Sequence, residues 1–244
     1  MKISIVIPIL NSHEIVRRQI EHFKKMNLPD EVEIIFVDDG SNPPLEFPNC
    51  ELKNFVIVAT NDKRPWTQGL ARNFGAKLAK GEYLFMTDID HIISRKAIDA
   101  VLSFNEDKMV FHRHIAILDV DGNLKQDPET LLNFGYSPER LRKRGIVTTG
   151  HGNTFAIKKS IFDMVGGYDV KRSSSLFHAG EDRLFNKHWS HLVKRGICKL
   201  ETFGPEIYMF PVGKYCGDCS NVDHNPFGLF CDLKRTEVPQ PMLK

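Results

Sequence analysis

The chain has 244 residues, 41% hydrophobic and 26% charged, with a formal net charge of +2. That length suits one large α/β domain or a domain with a modest extension, and the charge is too small to predict a polyanionic partner from the global field. No run of about 18 apolar residues occurs, so no membrane span is expected.

Lys2-Ile3-Ser4-Ile5-Val6-Ile7-Pro8 is a β-branched run that reads as a strand stopped by Pro8. The apolar stretch at residues 3–10 is short, contains Pro8 and lacks a small-residue cleavage site, so it reads as a strand and not as a signal peptide. Asn11 or Ser12 can cap the following helix, with Glu14 in its first turn. Val16, Ile20 and Phe23 share one helical face, and Arg17, Arg18, Lys24 and Lys25 are expected opposite. Residues 32–37 form a second strand ending in Asp38-Asp39-Gly40-Ser41, and residues 55–59 a third. Pro65 suits a first helical turn, and Trp66, Leu70, Phe74 and Leu78 recur every four residues in a helix ending near Lys80-Gly81. The apolar strand Tyr83-Leu84-Phe85-Met86 then stops at Thr87-Asp88-Ile89-Asp90-His91.

The first ninety residues therefore read β-α-β-β-α-β, which implies a mostly parallel, right-handed, doubly wound sheet. The polar clusters after the first, second and fourth strands converge on the carboxyl edge, where such sheets bind ligands. Asp88 and Asp90 offer two hard oxygen ligands suited to Mg²⁺ or Mn²⁺, ions that complete their shells with waters and substrate phosphates. Two solvated loop carboxylates would look the same in sequence.

In the second half, residues 108–115 read as one strand, Asp121-Gly122-Asn123 as a hairpin turn and residues 129–144 as one helix. The basic cluster Arg140, Arg142, Lys143 and Arg144 suits either a solvated helix end or a phosphate contact. Residues 154–157 read as a strand and 158–165 as a short helix. Asp182, Phe185 and Trp189 share a helical face, so a carboxylate starts a helix whose same side packs inward, and Glu181 lies close to that phase.

The strand ending in Pro8, then Val37-Asp38-Asp39-Gly40-Ser41, Gly69-Leu70-Ala71-Arg72-Asn73-Phe74-Gly75-Ala76, Gly81-Glu82-Tyr83 and Asp88-Ile89-Asp90 occur in an order that resembles the family-two glycosyltransferases of GT-A fold. Gly166-Gly167-Tyr168-Asp169 and Gly180-Glu181-Asp182-Arg183 extend the resemblance to about residue 195. It implies a Rossmann-like α/β fold: a nucleotide-sugar-binding half at 1–105, a smaller acceptor-binding half at 106–203, and an irregular extension at 204–244. It further implies a metal-dependent, inverting transfer of one sugar from a nucleotide donor, expected to be a UDP-sugar, to a hydroxyl.

Donor contacts would come from Pro8, Asn11, Asp39, Arg72, Asn73, Asp88 and Asp90. Asp88, Asp90 and the later His224 would hold Mn²⁺ or Mg²⁺. Asp182 would be the general base and Glu181 would bind the acceptor or hold the site, while His151 could line the sugar pocket. The other histidines, His91 among them, read as ordinary. The acceptor could be a glycan, a lipid-linked saccharide, a protein or a modified nucleic-acid base. A Gln-x-x-Arg-Trp element and a following membrane helix are missing, so one transfer to a discrete acceptor is expected over processive polymerisation.

The tail departs from the family pattern. Cys216-x2-Cys219-x4-His224-x6-Cys231 has zinc-like spacing, which offers a structural Zn²⁺ and competes for His224. Free thiols are the plainer reading. With Cys50 and Cys198 the count is odd, which argues for a reducing, cytoplasmic setting. Two rival functions stand beside sugar transfer. A nucleotidyltransferase could use the same Asp88/Asp90 metal site, and a nucleic-acid-binding module could be built on the Cys/His tail.

Overall fold

The computed structural model describes residues 1–46, 50–62, 68–148, 151–169 and 181–211. The strands and helices β1 (Ile3–Ile9), α1 (His13–Met26), β2 (Val32–Asp38), β3 (Phe55–Ala59), α2 (Gln68–Leu78) and β4 (Tyr83–Met86) follow the expected order. Then come β5 (His91–Ile92), α3 (Arg95–Leu102), β6 (Lys108–Val110), β7 (Arg113–Ile115), β8 (Ile117–Leu118), β9 (Leu124–Lys125), α4 (Pro128–Asn133) and α5 (Pro138–Arg144). The last elements are β10 (Val147–Thr148), β11 (Phe155–Lys158), α6 (Lys159–Val165), α7 (Glu181–Lys194), β12 (Thr202–Phe203) and β13 (Ile207–Met209).

The main sheet has seven strands in the order β12-β6-β11-β4-β1-β2-β3. β1 runs parallel to β2 and β4, and β2 parallel to β3. β11 is antiparallel to both β4 and β6, and β12 is parallel to β6, so β11 alone runs against the rest. Every residue of β1 and β2 is buried, because helices cover both faces. Ile3, Ile5 and Ile7 pack with Val16, Ile20 and Phe23 of α1 and with α3. Val6 packs on the other face with Ala71 and Ala76 of α2, and α6 and α7 extend that layer through Phe162, Phe185 and Trp189. A smaller sheet, β10-β7-β13-β5, and the β8-β9 hairpin carry a third apolar cluster. Residues 207–209, near the start of the expected extension, form β13 between β7 and β5.

Several local expectations change. The buried side of α2 is Gly69, Ala71, Arg72, Gly75 and Ala76, whereas Phe74 and Leu78 are exposed. The helix lies too close to the sheet for large residues: a Cβ on Gly75 would sit 2.4 Å from Val6 Cγ1 and 3.0 Å from Val37 Cγ2. Gly81 is not a helix cap. A Cβ there would stand 2.5 Å from the Ser4 nitrogen, and its own N–H donates to Ser4 Oγ at 2.7 Å.

Residues 108–115 form two strands in two sheets, because the chain leaves β6 beside β11 and enters β7 beside β13. Residues 129–144 form two helices separated by Gly135 at φ 95°, and α5 restarts at Pro138 with Ser137 Oγ accepting from the Arg140 N–H. Arg18 does not face solvent. It is buried, pairs with Glu14 at 3.0 Å and donates to the Leu118 carbonyl at 2.7 Å, tying α1 to the hairpin.

Candidate functional site

The carboxyl ends of β1, β2 and β4 bring the expected donor-side residues to one edge. Asn11, at the end of β1, adopts φ 52°. Its N–H donates to Ser41 Oγ at 2.8 Å and its Oδ1 accepts from the Asn42 N–H at 2.7 Å. Asn11 therefore clamps the loop after β2, and Ser12, which precedes α1, turns its hydroxyl to the Leu10 carbonyl instead of capping the helix. The two acids after β2 divide their work. Asp38 accepts from the Ser41 and Leu45 N–H groups at 2.8 and 3.0 Å, which braces the loop. Asp39 is buried beside Thr60, whose hydroxyl donates to it at 3.3 Å.

Arg72 is fully buried on α2. Its guanidinium pairs with Asp88 and lies 5.3 Å from the ring centre of Tyr168. The donor contact expected of Arg72 would have to come from a guanidinium already engaged inside the protein. Asn73 spends both ends of its amide on Tyr168: Nδ2 donates to the Tyr168 carbonyl at 2.8 Å, and Oδ1 accepts from the Tyr168 N–H at 2.9 Å. Asn73 was expected at the donor, but its amide anchors the Gly-Gly-Tyr-Asp element to α2.

Asp88 also receives Gln68 Nε2 at 3.4 Å and lies 3.2 Å from His151 Nδ1. Burial pushes its carboxyl up, but the positive charge of Arg72 and the nearby His91 and His151 outweigh that, and the carboxyl titrates below its ordinary value. Asp90 is half-buried, and burial together with the Asp88 charge pushes its carboxyl up to about 7.

His91 is buried at the start of β5 and is far from ordinary. Arg113 Nη1 lies 3.0 Å from its Nε2, and Thr154 Oγ1 lies 2.6 Å from its Nδ1. A guanidinium can only donate, so Nε2 accepts and Nδ1 carries the proton toward Thr154. Burial lowers the imidazole to about 3, which keeps it neutral. His91 and Arg113 were missed in the sequence because their roles depend on β7 and β11 meeting the loop after β4.

Asp182, the expected acceptor-side carboxylate, lies against the loop that carries His151. Asp182, in the first turn of α7, accepts from the Arg183 N–H at 2.8 Å. A Cβ on Gly152 would sit 3.2 Å from Asp182 Oδ2, so glycine lets the loop at His151 lie against the start of α7. His151 is drawn down by burial and feels the charges of both Asp88 and Asp182. Glu181 is the first residue of α7. His224, Cys216, Cys219 and Cys231 lie outside the described residues.

Ligand atoms of Asp88, His91 and His151 lie within 4.8 Å of one another. They do not make a ready nitrogen cage, because Arg113 and Thr154 engage both ring nitrogens of His91 and Arg72 engages Asp88 Oδ1. His151 Nδ1 lies against the second oxygen of Asp88, and the carboxylate of Asp90, expected as a ligand, is not part of this cluster. Carboxylate oxygens fit a hard cation of the Mg²⁺ or Mn²⁺ kind.

The sequence profile of "Glycosyl transferase family 2" matches residues 4–166. The chain belongs to this family. A poly(ribitol-phosphate) beta-glucosyltransferase of Bacillus spizizenii is 34% identical over 111 residues, 44% of this chain and 18% of that protein. The Staphylococcus aureus protein TarP, a poly(ribitol-phosphate) beta-N-acetylglucosaminyltransferase, is 27% identical over 190 residues, 75% of this chain and 56% of its own. Glycosyltransferase GlyG of Streptococcus pneumoniae is 29% identical over 130 residues, 50% of this chain and 42% of that protein. The chain thus spans little more than half, or less, of the relatives it matches.

Among solved structures, S. aureus TarS superposes with a TM-score of 0.56 at 18% identity, over 86% of this chain and 37% of that one. TarS residues 1–349 in complex with UDP-GlcNAc give 0.54 at 17% identity, over 89% and 61%. These similarities show the fold, the GT-A arrangement of this glycosyl transferase family 2 member. Among the described residues no helix is long and apolar enough to cross a membrane.

Proposed function

We propose that this chain transfers a single sugar from a UDP-sugar to an acceptor hydroxyl, with inversion at the anomeric carbon. One observation carries the reading: His151 Nδ1 lies 3.2 Å from Asp88 Oδ2 and the adjoining Gly152 lies against the Asp182 carboxylate, so one short loop touches both the donor-side and the acceptor-side acid. Family membership favours sugar transfer over nucleotidyl transfer. The relatives' names support a nucleotide-sugar enzyme acting on a polyol-phosphate glycan, ahead of a lipid-linked saccharide, a protein or a nucleic acid. The nucleotide-binding half is residues 1–105 and the acceptor half residues 106–203. The odd number of cysteines supports a reducing, cytoplasmic setting.

In the reaction, Asp182 takes the proton of the acceptor hydroxyl as that oxygen attacks the anomeric carbon. The bond from that carbon to the diphosphate oxygen breaks on the opposite face, and the nucleoside diphosphate leaves. Asp39 and the loop clamped by Asn11, near Pro8, hold the nucleoside. Arg72 keeps Asp88 ionised, and Asp90 with Asp88 would hold the divalent cation, with His224 a further candidate. When bound, that cation supplies Lewis-acid stabilisation of the charge gathering on the diphosphate. Glu181 holds the acceptor. Gly152 lets His151 and Asp182 close on the sugar without an intervening side chain.

The test is incubation with Mn²⁺ and UDP-GlcNAc or UDP-glucose, with and without a polyol-phosphate acceptor. Acceptor-dependent release of UDP is expected. Pyrophosphate release, or no turnover of any UDP-sugar, would overturn the reading.

A further inference from the structure

Gln19 lies in the middle of α1 and is fully buried, yet it bonds to nothing on its own helix face. Its Nε2 donates to the Ile89 carbonyl at 3.1 Å and to the His91 carbonyl at 2.7 Å. Those two carbonyls flank Asp90. The neighbouring ones are tied as well: the His91 N–H donates to the Asp88 carbonyl at 3.0 Å, and the Phe210 N–H donates to the Asp90 carbonyl at 2.9 Å. Four successive carbonyls, Asp88 to His91, are thus held by a local turn, by the chain just after β13 and by α1. The main chain that carries Asp90 is therefore fixed at each step.

Gln19 holds the turn at the expense of its own carbonyl. Its Oε1 is buried without a hydrogen-bond partner among the described residues. Rotating the amide would not help, because Oε1 would then face two carbonyl oxygens. A buried acceptor left unbonded lowers stability, but an apolar side chain would in turn leave the Ile89 and His91 carbonyls without their donor.

We infer that Gln19 is a positioning residue that fixes the Asp88–His91 turn from α1, so that the Asp90 carboxylate is pre-set to receive the cation and the donor diphosphate. Pre-set ligands bind without a reorganisation cost, which is how a residue that touches neither cation nor substrate can govern their affinity. The inference rests on the metal-dependent reading above.

The experiment uses the full chain and two substitutions, Gln19→Met and Gln19→Asn. Methionine keeps the length of the side chain and removes both polar atoms. Asparagine keeps the amide but withdraws it by one methylene. Mn²⁺ binding in the presence of UDP is followed by the electron paramagnetic resonance signal of free Mn²⁺, and stability by the melting temperature. Both substitutions are expected to weaken Mn²⁺ binding at least tenfold, and both to melt below the wild-type temperature, because each withdraws the amide donors from the Ile89 and His91 carbonyls. Should Gln19→Met fail to fold, the Mn²⁺ affinity of Gln19→Asn decides. Unchanged Mn²⁺ affinity in the variants overturns it, with or without a lower melting temperature. Absence of Mn²⁺ uptake by the wild type is a different failure: it removes the metal-dependent reading and this inference with it.

Discussion

Arg72 and Asp88 form an ion pair in which the arginine side chain is fully buried and the aspartate only 13% exposed. One member comes from α2, the other from the loop after β4, so the pair joins helix to sheet edge at the site. It also explains why two acids one residue apart are not equivalent. Asp88 is held as an anion by its arginine, and Asp90 lies in the field of that anion.

Removing the arginine alone should leave a buried, uncompensated charge. Arg72→Met is expected to cost roughly 3–5 kcal/mol in denaturant unfolding, while Arg72→Met combined with Asp88→Asn should recover much of it. The folded-state pKa of Asp88 lies below 3.8, so its contribution is present above that value and is lost as pH falls through the folded pKa. In Arg72→Met that acid-side loss should shrink or reverse, which a series of unfolding curves from pH 3 to 7 would read.

Lys108 gives a pH dependence of the opposite kind. It is buried on β6, lies 4.9 Å from the Phe155 ring centre and 5.0 Å from that of Trp189, and donates to Asn186 Oδ1 at 3.2 Å. Burial lowers its pKa from 10.5 to about 8. Between those values the unfolded chain holds a proton that the folded chain has released, so stability due to this group rises with pH. Lys108→Met should be more stable than wild type near pH 7, by at most about 3 kcal/mol, because each pKa unit corresponds to about 1.4 kcal/mol. The gap should close between pH 8 and 10.5.

Asn73 should behave as a joint between α2 and the Tyr168 segment. Asn73→Ala removes both hydrogen bonds to the Tyr168 backbone, with an expected loss of about 1–3 kcal/mol. Asn73→Asp keeps the acceptor and loses the donor, so it should fall between. UDP affinity, followed by thermal shift, should move little in either variant. A large loss with stability intact would return Asn73 to the donor contacts.

Two glycines should rank by what surrounds them. At Gly81 a methyl would meet backbone atoms, the Ser4 nitrogen at 2.5 Å and the Ile3 carbonyl carbon at 2.7 Å. At Gly75 it would meet the Val6 and Val37 side chains, which can turn. Alanine at either position should destabilise by about 1–3 kcal/mol or more, with Gly81→Ala the worse in thermal melts.

The main sheet could be read in advance because β1, β2 and β4 are apolar runs long enough to be buried on both faces. The carboxyl edge followed from the parallel order, and with it the placing of Asp39 after β2 and of Asp88 after β4. Side-chain burial was harder. Periodicity rewards large apolar residues, so Phe74 and Leu78 looked like the inner face of α2, although a close helix–sheet approach selects glycine and alanine. The long span from residue 108 to 115 has strand character throughout, and nothing local says that it changes sheets after Val110. Gln19, His91 and Arg113 gave no signal, since buried polar groups are defined by partners distant in the chain. Asn11 and Asn73 were recognised as near the site, but their amides are turned to backbone partners.

The most direct measurement compares wild type with Asp182→Asn in two assays: UDP-sugar binding and acceptor-dependent UDP release with Mn²⁺. Binding within about twofold of wild type, with transfer reduced at least about 100-fold, is predicted for a general base that borders the donor but does not hold it. Transfer that survives in Asp182→Asn while Glu181→Gln abolishes it would contradict the assignment.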